Sequence, residues 1–142
     1  MFDHIFFQFL GHDLGIYRNE PLKELGYVKG DLLRSARLVI DVGIHLYGWS
    51  RKSAIDFLMN NTGYSQETAA EQVDRYISTP GQAVAYKVGE RVIQMLRKKF
   101  TKESDMALKK FHTYMLNCVG PLDDLKACIL DLEQNDKQGN KE

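Results

Sequence analysis

The chain has 142 residues, of which 44% are hydrophobic and 27% are charged, and this is the composition of an ordinary globular protein. Nineteen basic residues balance nineteen acidic ones, so the net charge is zero and we expect no binding to nucleic acid. The two cysteines, Cys118 and Cys128, are too few for a disulfide-stapled scaffold and have no metal-ligand spacing, so we expect reduced thiols. No apolar run approaches the ~20 residues that span a bilayer, and the first residues lack the features of a signal peptide. The sequence therefore predicts a soluble chain.

Helical periodicity runs along nearly the whole chain, and glycine and proline stand at intervals that suit helix ends. The sequence therefore predicts an all-α fold, a multi-helix array of about six to seven helices. The predicted helices cover, in chain order, residues 2–14, 21–46, 51–60, 66–78, 80–100, 104–119 and 121–132. The second begins at Pro21 and either continues or restarts after Gly30, while Ser50 and Ser65 are the expected caps of the next two.

The two ends of the chain have different compositions. The segment from Phe2 to Leu10 is rich in Phe and Ile, and such a surface needs cover from a longer parent protein or from a partner chain. The last residues are polar and lack periodicity. We expect a single helical domain over residues 1–132 and a disordered tail over residues 133–142.

Charged residues recur at steps of three and four in the second predicted helix. Arg34, Arg37, Asp41 and His45 share one face of a segment that is otherwise apolar. A buried charge must be paired or must face a wet cavity, because desolvating it alone is unfavourable by several kcal/mol. The stripe therefore predicts either a structural seam, in which Arg37 pairs with Asp41 and His45 bonds to a neighbouring helix, or a cleft that presents His45 to a ligand. We favour the seam.

A second stretch of interest begins with the Thr79–Gln82 turn, which has the form of a capping box. Gln82 and Tyr86 lie one helical turn apart and project to the same side. An amide and a phenol at the start of a helix are suited to holding a peptide or polarising a carbonyl. A buried tyrosine and a capping glutamine are the alternative, which composition favours.

Three segments together resemble a known family. Residues 33–45 (LRSARLVIDVGIH), 48–56 (GWSRKSAID) and 73–89 (VDRYISTPGQAVAYKVG) closely resemble the C-terminal part of the large helical family called domain of unknown function 885. Members of that family look like gluzincin-type zinc metallopeptidases. The resemblance extends from about Phe9 to Leu132.

The resemblance implies a zinc site that this sequence lacks. The family's metal is held by an HExxPGHH-type helix and by a later glutamate in an EGWA-like segment, and neither motif occurs here. Residues 6–17 resemble the part of the family that comes directly after the EGWA-like segment, so the third-ligand position is expected at or before Met1. We therefore expect no metal site and no cofactor in this chain, although the intact family member would hold zinc.

Six positions are implied as lining the cleft of the intact enzyme: Arg37, Asp41, His45, Tyr76, Gln82 and Tyr86. In related helical peptidases a Gly-x-x-x-x-Tyr segment binds substrate, and residues 81–86 are similar in form. By this resemblance Tyr86 and His45 are the catalytic candidates, with Tyr86 polarising the scissile carbonyl. Arg37, Asp41, Tyr76 and Gln82 are the candidates for substrate binding.

The leading hypothesis is thus the C-terminal, substrate-cleft half of a metallopeptidase-like protein, which acts on peptides only with its missing N-terminal half. One alternative is a non-catalytic helical module that binds a partner through residues 2–10. Another is a split enzyme whose other half is a separate chain.

Overall fold

The structure, a computed structural model, describes residues 10–12, 14–103 and 106–139. Its α-helices are α1 (Pro21–His45), α2 (Arg51–Thr62), α3 (Gln66–Ser78), α4 (Val84–Lys98), α5 (Leu108–Asn117) and α6 (Leu125–Gly139). A π-helical turn (Lys99–Glu103) follows α4, and a 3₁₀ turn (Leu122–Asp124) precedes α6. All regular structure within these ranges is helical, so the all-α prediction is confirmed. The helix predicted over residues 2–14 lies mostly outside the described residues.

Serine caps open two of the helices as predicted. The Ser50 hydroxyl accepts a hydrogen bond from the Ser53 N–H at 3.1 Å at the start of α2. The Ser65 hydroxyl accepts from the Thr68 N–H at 3.3 Å at the start of α3. Each cap satisfies one of the free N–H groups that a helix leaves in its first turn.

Helix α1 runs unbroken past two internal glycines. It begins at Pro21 and continues through Gly26 and Gly30, so the restart considered from the sequence does not occur. Its apolar side is buried at Ala36 and Ile40, and packing of that side offsets the low helix propensity of glycine.

Helix α4 begins later than predicted. The capping-box pattern places the first helical residue at Pro80, whereas the structure keeps residues 80–83 in a turn and starts the helix at Val84. Gly81 has φ +79°, a left-handed backbone conformation that interrupts a right-handed helix. Its N–H donates to the carboxylate of Asp41 on α1, so a tertiary contact holds the turn that precedes α4.

The chain forms two compact units, and the first covers residues 1–90. Its core is made by α1, α2, α3 and the turn before α4, which pack through small and branched side chains. The buried residues are Ala36, Ile40, Ala54, Ile55, Leu58, Ala69, Val73, Tyr76 and Ala83. This packing holds the polar face of α1 beside α3 and the start of α4.

The second unit covers residues 91–142 and contains a disulfide. Its buried core comprises Leu96, Phe100, Met106, Phe111, Tyr114, Leu125 and Ile129. Cys118 and Cys128 are bonded, so the expectation of reduced thiols is wrong. The turn through Gly120 and Pro121 brings the end of α5 to the first turn of α6, where the two cysteine Cα atoms lie 5.9 Å apart.

The end of the chain also differs from expectation. The sequence predicts a polar tail from residue 133, but α6 continues to Gly139. An i,i+4 ion pair between Glu133 and Lys137 supports this last part, and Asp136 accepts hydrogen bonds from Tyr114 and from Lys110 of α5. The single domain over residues 1–132 stays a prediction. Among the described helices, none combines the length and the apolar character needed to cross a membrane.

Candidate functional site

The polar stripe of α1 divides into two separate networks, and the first is made of charged groups. Lys87 on α4 donates to Asp31 at 2.5 Å and to Glu90 at 2.9 Å. Arg34 lies 3.6 Å from each of the same two carboxylates. Two cations and two anions therefore balance between α1 and α4. We call these four residues the charge network.

Titration of Asp31 and Lys87 is shifted by this arrangement. Partial burial opposes ionisation of Asp31, but the hydrogen bond and charge of Lys87 outweigh it and lower the Asp31 pKa. Burial likewise opposes the charge of Lys87, and the two carboxylates outweigh it and raise the Lys87 pKa. Both groups are held in their charged forms.

The second network is built around Arg37, one turn further along α1. Its Nη2 donates to Oε1 of Gln82 at 3.3 Å. The guanidinium carbon lies 5.4 Å from the ring centroid of Tyr76 on α3 and 4.7 Å from that of Tyr86 on α4. The cation is thus held by two aromatic rings and one amide. We call Arg37, Tyr76, Gln82 and Tyr86 the Arg37 cluster.

Gln82 links Arg37 to Tyr86. A guanidinium can only donate, so the amide atom that faces Arg37 must be the oxygen. The amide nitrogen then donates to the hydroxyl oxygen of Tyr86 at 3.3 Å. The Tyr86 hydroxyl is an acceptor in this bond, and its own proton stays available for a ligand.

Asp41 has a different partner from the one that the seam hypothesis assigned to it. Both of its carboxylate oxygens accept from the N–H of Gly81, at 3.2 and 3.1 Å, and its residue is only 5% exposed. The expected ion pair with Arg37 does not form, because Asp41 is needed to satisfy a backbone donor in the turn before α4. Asp41 therefore positions the segment that carries Gln82.

His45 bonds to a neighbouring helix, as the seam hypothesis expected. Its Nε2 lies 3.0 Å from the backbone carbonyl oxygen of Tyr76 on α3. A carbonyl can only accept, so Nε2 carries the proton, and in the neutral ring the lone pair lies on Nδ1. The residue as a whole is exposed.

Tyr76 is the most buried of the six candidates, with 1% of the residue exposed. Its hydroxyl donates to Oε1 of Gln72 at 3.3 Å, and burial raises the pKa of its phenol. In this structure Tyr76 supports Arg37 from beneath, through its ring. A direct contact between Tyr76 and a substrate stays a prediction.

The structure therefore links all six sequence-derived candidates by contacts within the first unit, although it tests none of their predicted roles. Arg37, Gln82 and Tyr86 are in mutual contact, while His45 and Asp41 join through Tyr76 and Gly81. Sequence reasoning missed the charge network. The spacing of Asp31 to Arg34 and of Lys87 to Glu90, three residues in both helices, was the available signal.

The described residues do not fit a zinc ion. No three of their histidine, cysteine, aspartate or glutamate side chains are grouped so that they could hold a metal. The sequence also lacks both metal-binding motifs of the family that it resembles, the HExxPGHH-type helix and the EGWA-like segment. We therefore derive no chemical step through a metal on this chain.

Comparison with solved structures gives a close match. The chain superposes with a TM-score of 0.82 on a protein described as a "putative lipoprotein" from Colwellia psychrerythraea, with 32% sequence identity. The match covers 89% of this chain and 22% of that one, so the chain spans under a quarter of that relative. No curated protein matches the sequence.

Comparison with family profiles identifies the relationship. Residues 6–128 match the family described as "Bacterial protein of unknown function (DUF885)". That range includes all six candidates of the site and most of the chain. The chain therefore belongs to the DUF885 family of bacterial proteins.

Proposed function

We propose that the chain forms the peptide-binding wall of a larger metallopeptidase-like hydrolase and does not hydrolyse peptides alone. The observation that carries this proposal is the Tyr86 hydroxyl, which accepts from Gln82 and keeps its own proton beside the Arg37 cation. Such a donor suits the carbonyl oxygen of a bound peptide.

The chemistry required of Tyr86 is electrostatic. When a peptide carbonyl is attacked, its oxygen gains negative charge, and a donor held near it stabilises that charge. Gln82 orients the phenol and polarises it through the hydrogen bond that the phenol accepts. The Arg37 guanidinium, 4.7 Å from the Tyr86 ring centroid, further favours negative charge at this place.

His45 supplies a complementary acceptor. With its Nε2 proton fixed by the Tyr76 carbonyl, Nδ1 of this exposed residue can accept an N–H of a peptide backbone. A donor at Tyr86 and an acceptor at His45 are the two groups that an extended peptide needs. We assign His45 a binding role that assists Tyr86.

Hydrolysis requires further groups. Water attacks a peptide readily only when a metal or a base activates it, and the motifs that supply both in the resembled family are not in this sequence. The relative from Colwellia psychrerythraea is several times longer than the matched region, which leaves room for such groups in a whole protein of this kind.

The test is the binding of a short acetylated peptide amide, measured by NMR shift perturbation. We expect weak binding with shifts at Gln82, and Tyr86→Phe should weaken it by about fivefold, because one hydrogen bond is lost. Tyr47→Phe is the matched control, since Tyr47 is exposed and outside the cluster. Equal binding by Tyr86→Phe and the unaltered chain would contradict the proposal.

A second candidate, a non-catalytic binding module, is favoured by a row of exposed apolar residues on α1. Leu25, Val28, Leu32 and Val39 lie on one side of the helix and are exposed. Residues 2–10, which the sequence predicts for this role, lie almost wholly outside the described residues. If this candidate is right, Leu32→Glu abolishes association in light scattering, while Tyr86→Phe leaves it unchanged.

A further inference from the structure

Arg37 differs from the other partly buried arginine of α1 in its partners. Arg34 lies close to two carboxylates, Asp31 and Glu90. Arg37 forms no ion pair with any of the residues that the structure describes, and its one hydrogen-bond partner there is the neutral amide of Gln82. The nearest acid along the helix, Asp41, accepts from Gly81 instead. Among the described residues, no carboxylate therefore lies within ion-pair distance of Arg37.

Most N–H donors of the Arg37 guanidinium also have no hydrogen-bond acceptor among the described residues. It has five N–H groups, of which one bonds to Gln82. The Nε atom is buried and has no acceptor among the described residues, which is an unfavourable state for a donor. The guanidinium carbon lies within cation–π distance of the Tyr76 and Tyr86 rings, and such contacts use the ring faces and leave the N–H donors without an oxygen acceptor.

A planar cation that lies beside two aromatic rings and keeps unused donors matches one class of ligand. Carboxylates accept two parallel N–H bonds from a guanidinium, and this fork is the strongest common pairing of arginine. We infer that Arg37 binds a carboxylate of the peptide ligand, an inference that rests on the proposed peptide-binding function. The aromatic rings and Gln82 fix the guanidinium before a ligand binds, so little side-chain conformational entropy is lost on binding.

The carboxylate has two sources in a peptide, the C-terminus and an acidic side chain. Both present the same two oxygens to Arg37. Three peptides separate them: acetyl-trialanine acid, acetyl-trialanine amide, and an acetylated tripeptide amide whose middle residue is glutamate. Their affinities for the full chain are measured by calorimetry at one ionic strength.

We expect a carboxylate-bearing peptide to bind about tenfold or more tightly than the neutral amide, as hydrogen bonds to a charged partner allow. Tighter binding of the acid alone identifies a terminal carboxylate, and tighter binding of the glutamate peptide identifies a side chain. Excess sodium acetate should compete with the preferred peptide, whereas sodium chloride at equal ionic strength should compete less.

The matched variants are Arg37→Met and Arg51→Met. Arg37→Met should bind all three peptides with the same affinity, because the preference for a carboxylate is lost. Arg51→Met should keep the preference, because Arg51 pairs with Asp74 on the exposed surface away from the cluster. Circular dichroism is used to check that both variants fold. If Arg37→Met does not fold, the acetate competition on the unaltered chain tests carboxylate recognition, and competition no stronger than that of sodium chloride overturns the inference.

The outcomes separate this inference from the proposed function. Equal binding of all three peptides by the unaltered chain overturns carboxylate recognition and leaves peptide binding intact. A preference that survives in Arg37→Met also overturns the inference, because the carboxylate then binds elsewhere. Absence of binding by every peptide overturns the proposed function as well.

Discussion

Arg37 donates to Gln82 across 45 residues of sequence, and this one bond determines which way round the Gln82 amide lies. Because the amide oxygen faces the cation, the amide nitrogen faces Tyr86, and the phenol becomes an acceptor. A charge on α1 thus controls the donor capacity of a hydroxyl on α4 through a single neutral side chain.

Replacing the amide by an acid should reverse this relationship. In Gln82→Glu a carboxylate faces Arg37 and forms an ion pair with it. Because a carboxylate has no N–H, the same group accepts a hydrogen bond from the Tyr86 hydroxyl. We expect the affinity for a carboxylate-bearing peptide to fall by about tenfold or more. Calorimetry with the preferred peptide measures the change.

Gln66→Glu is the control for this substitution. It introduces the same charge at an exposed position in the first turn of α3, outside the cluster. We expect it to leave peptide affinity within about twofold, because exposed charges are screened by salt. A similar loss of affinity in both variants would argue for a general charge effect and against the Arg37–Gln82 relationship.

Two glycines of α1 should respond to alanine with opposite signs. At Gly43 an added Cβ would lie 2.5 Å from Cδ2 of Trp49, so the indole must move, and we expect Gly43→Ala to destabilise the fold by about 1–3 kcal/mol. At Gly26 nothing lies within 4 Å, so Gly26→Ala should stabilise it by about 0.5–1 kcal/mol. Urea unfolding of the two variants measures the change in the free energy of unfolding for each. Two changes of the same sign would contradict the packing of Trp49 on α1.

Acid should weaken the charge network. The folded-state pKa of Asp31 lies below its ordinary value of 3.8, so its contribution to stability is present above that pH and is lost as the pH falls through the lowered value. Lys87, whose pKa is raised above 10.5, stays charged throughout this range. We expect Asp31→Asn to reduce the free energy of unfolding by about 1 kcal/mol at pH 7, after allowance for solvent screening.

The measurement for this prediction is urea unfolding at pH 7 and again below the lowered pKa. The difference between Asp31→Asn and the unaltered chain should shrink at the acid end, where Asp31 is protonated in both states. Asp56→Asn, at the exposed pair with Lys52, serves as the matched control and should show little effect at either pH. A pH-independent difference would mean that Asp31 contributes by shape and not by charge.

Reduction of the Cys118–Cys128 disulfide should destabilise the second unit. The bond joins residues ten apart, and a loop of this length constrains the unfolded chain by about 2–3 kcal/mol. Thermal unfolding with and without reductant measures the loss, and thiol titration of the denatured chain counts the cysteines that were bonded. In a double Cys118→Ser, Cys128→Ser variant the reductant should have no effect, and a shift there would contradict the assignment.

The parts of the fold that could be predicted depend on local chemistry. Ser50 and Ser65 are followed by apolar periodic segments, and a hydroxyl at such a place has one obvious partner, the N–H of its own first turn. The polar stripe of α1 is likewise visible in the sequence, because helical spacing alone places Arg37, Asp41 and His45 on one face.

The parts that could not be predicted depend on contacts between distant segments. Asp41 lies 40 residues from Gly81 in sequence, and the spacing on its own helix favours Arg37 as a partner. Cys118 and Cys128 carry no sign of pairing until the intervening turn is placed. The start of α4 escapes prediction for the same reason, since the turn before it is held by a side chain of another helix.

The unbroken course of α1 links the two networks mechanically. A helix rises about 1.5 Å per residue, so the Asp31 end, tied to Lys87, and the His45 end, tied to the Tyr76 carbonyl, are about 21 Å apart along one rod. Such a rod can tilt or slide but cannot bend easily at a hydrogen-bonded interior. Contacts with Lys87 and with the Tyr76 carbonyl therefore anchor one stiff helix on either side of Arg37, and this double anchorage fixes where its guanidinium lies.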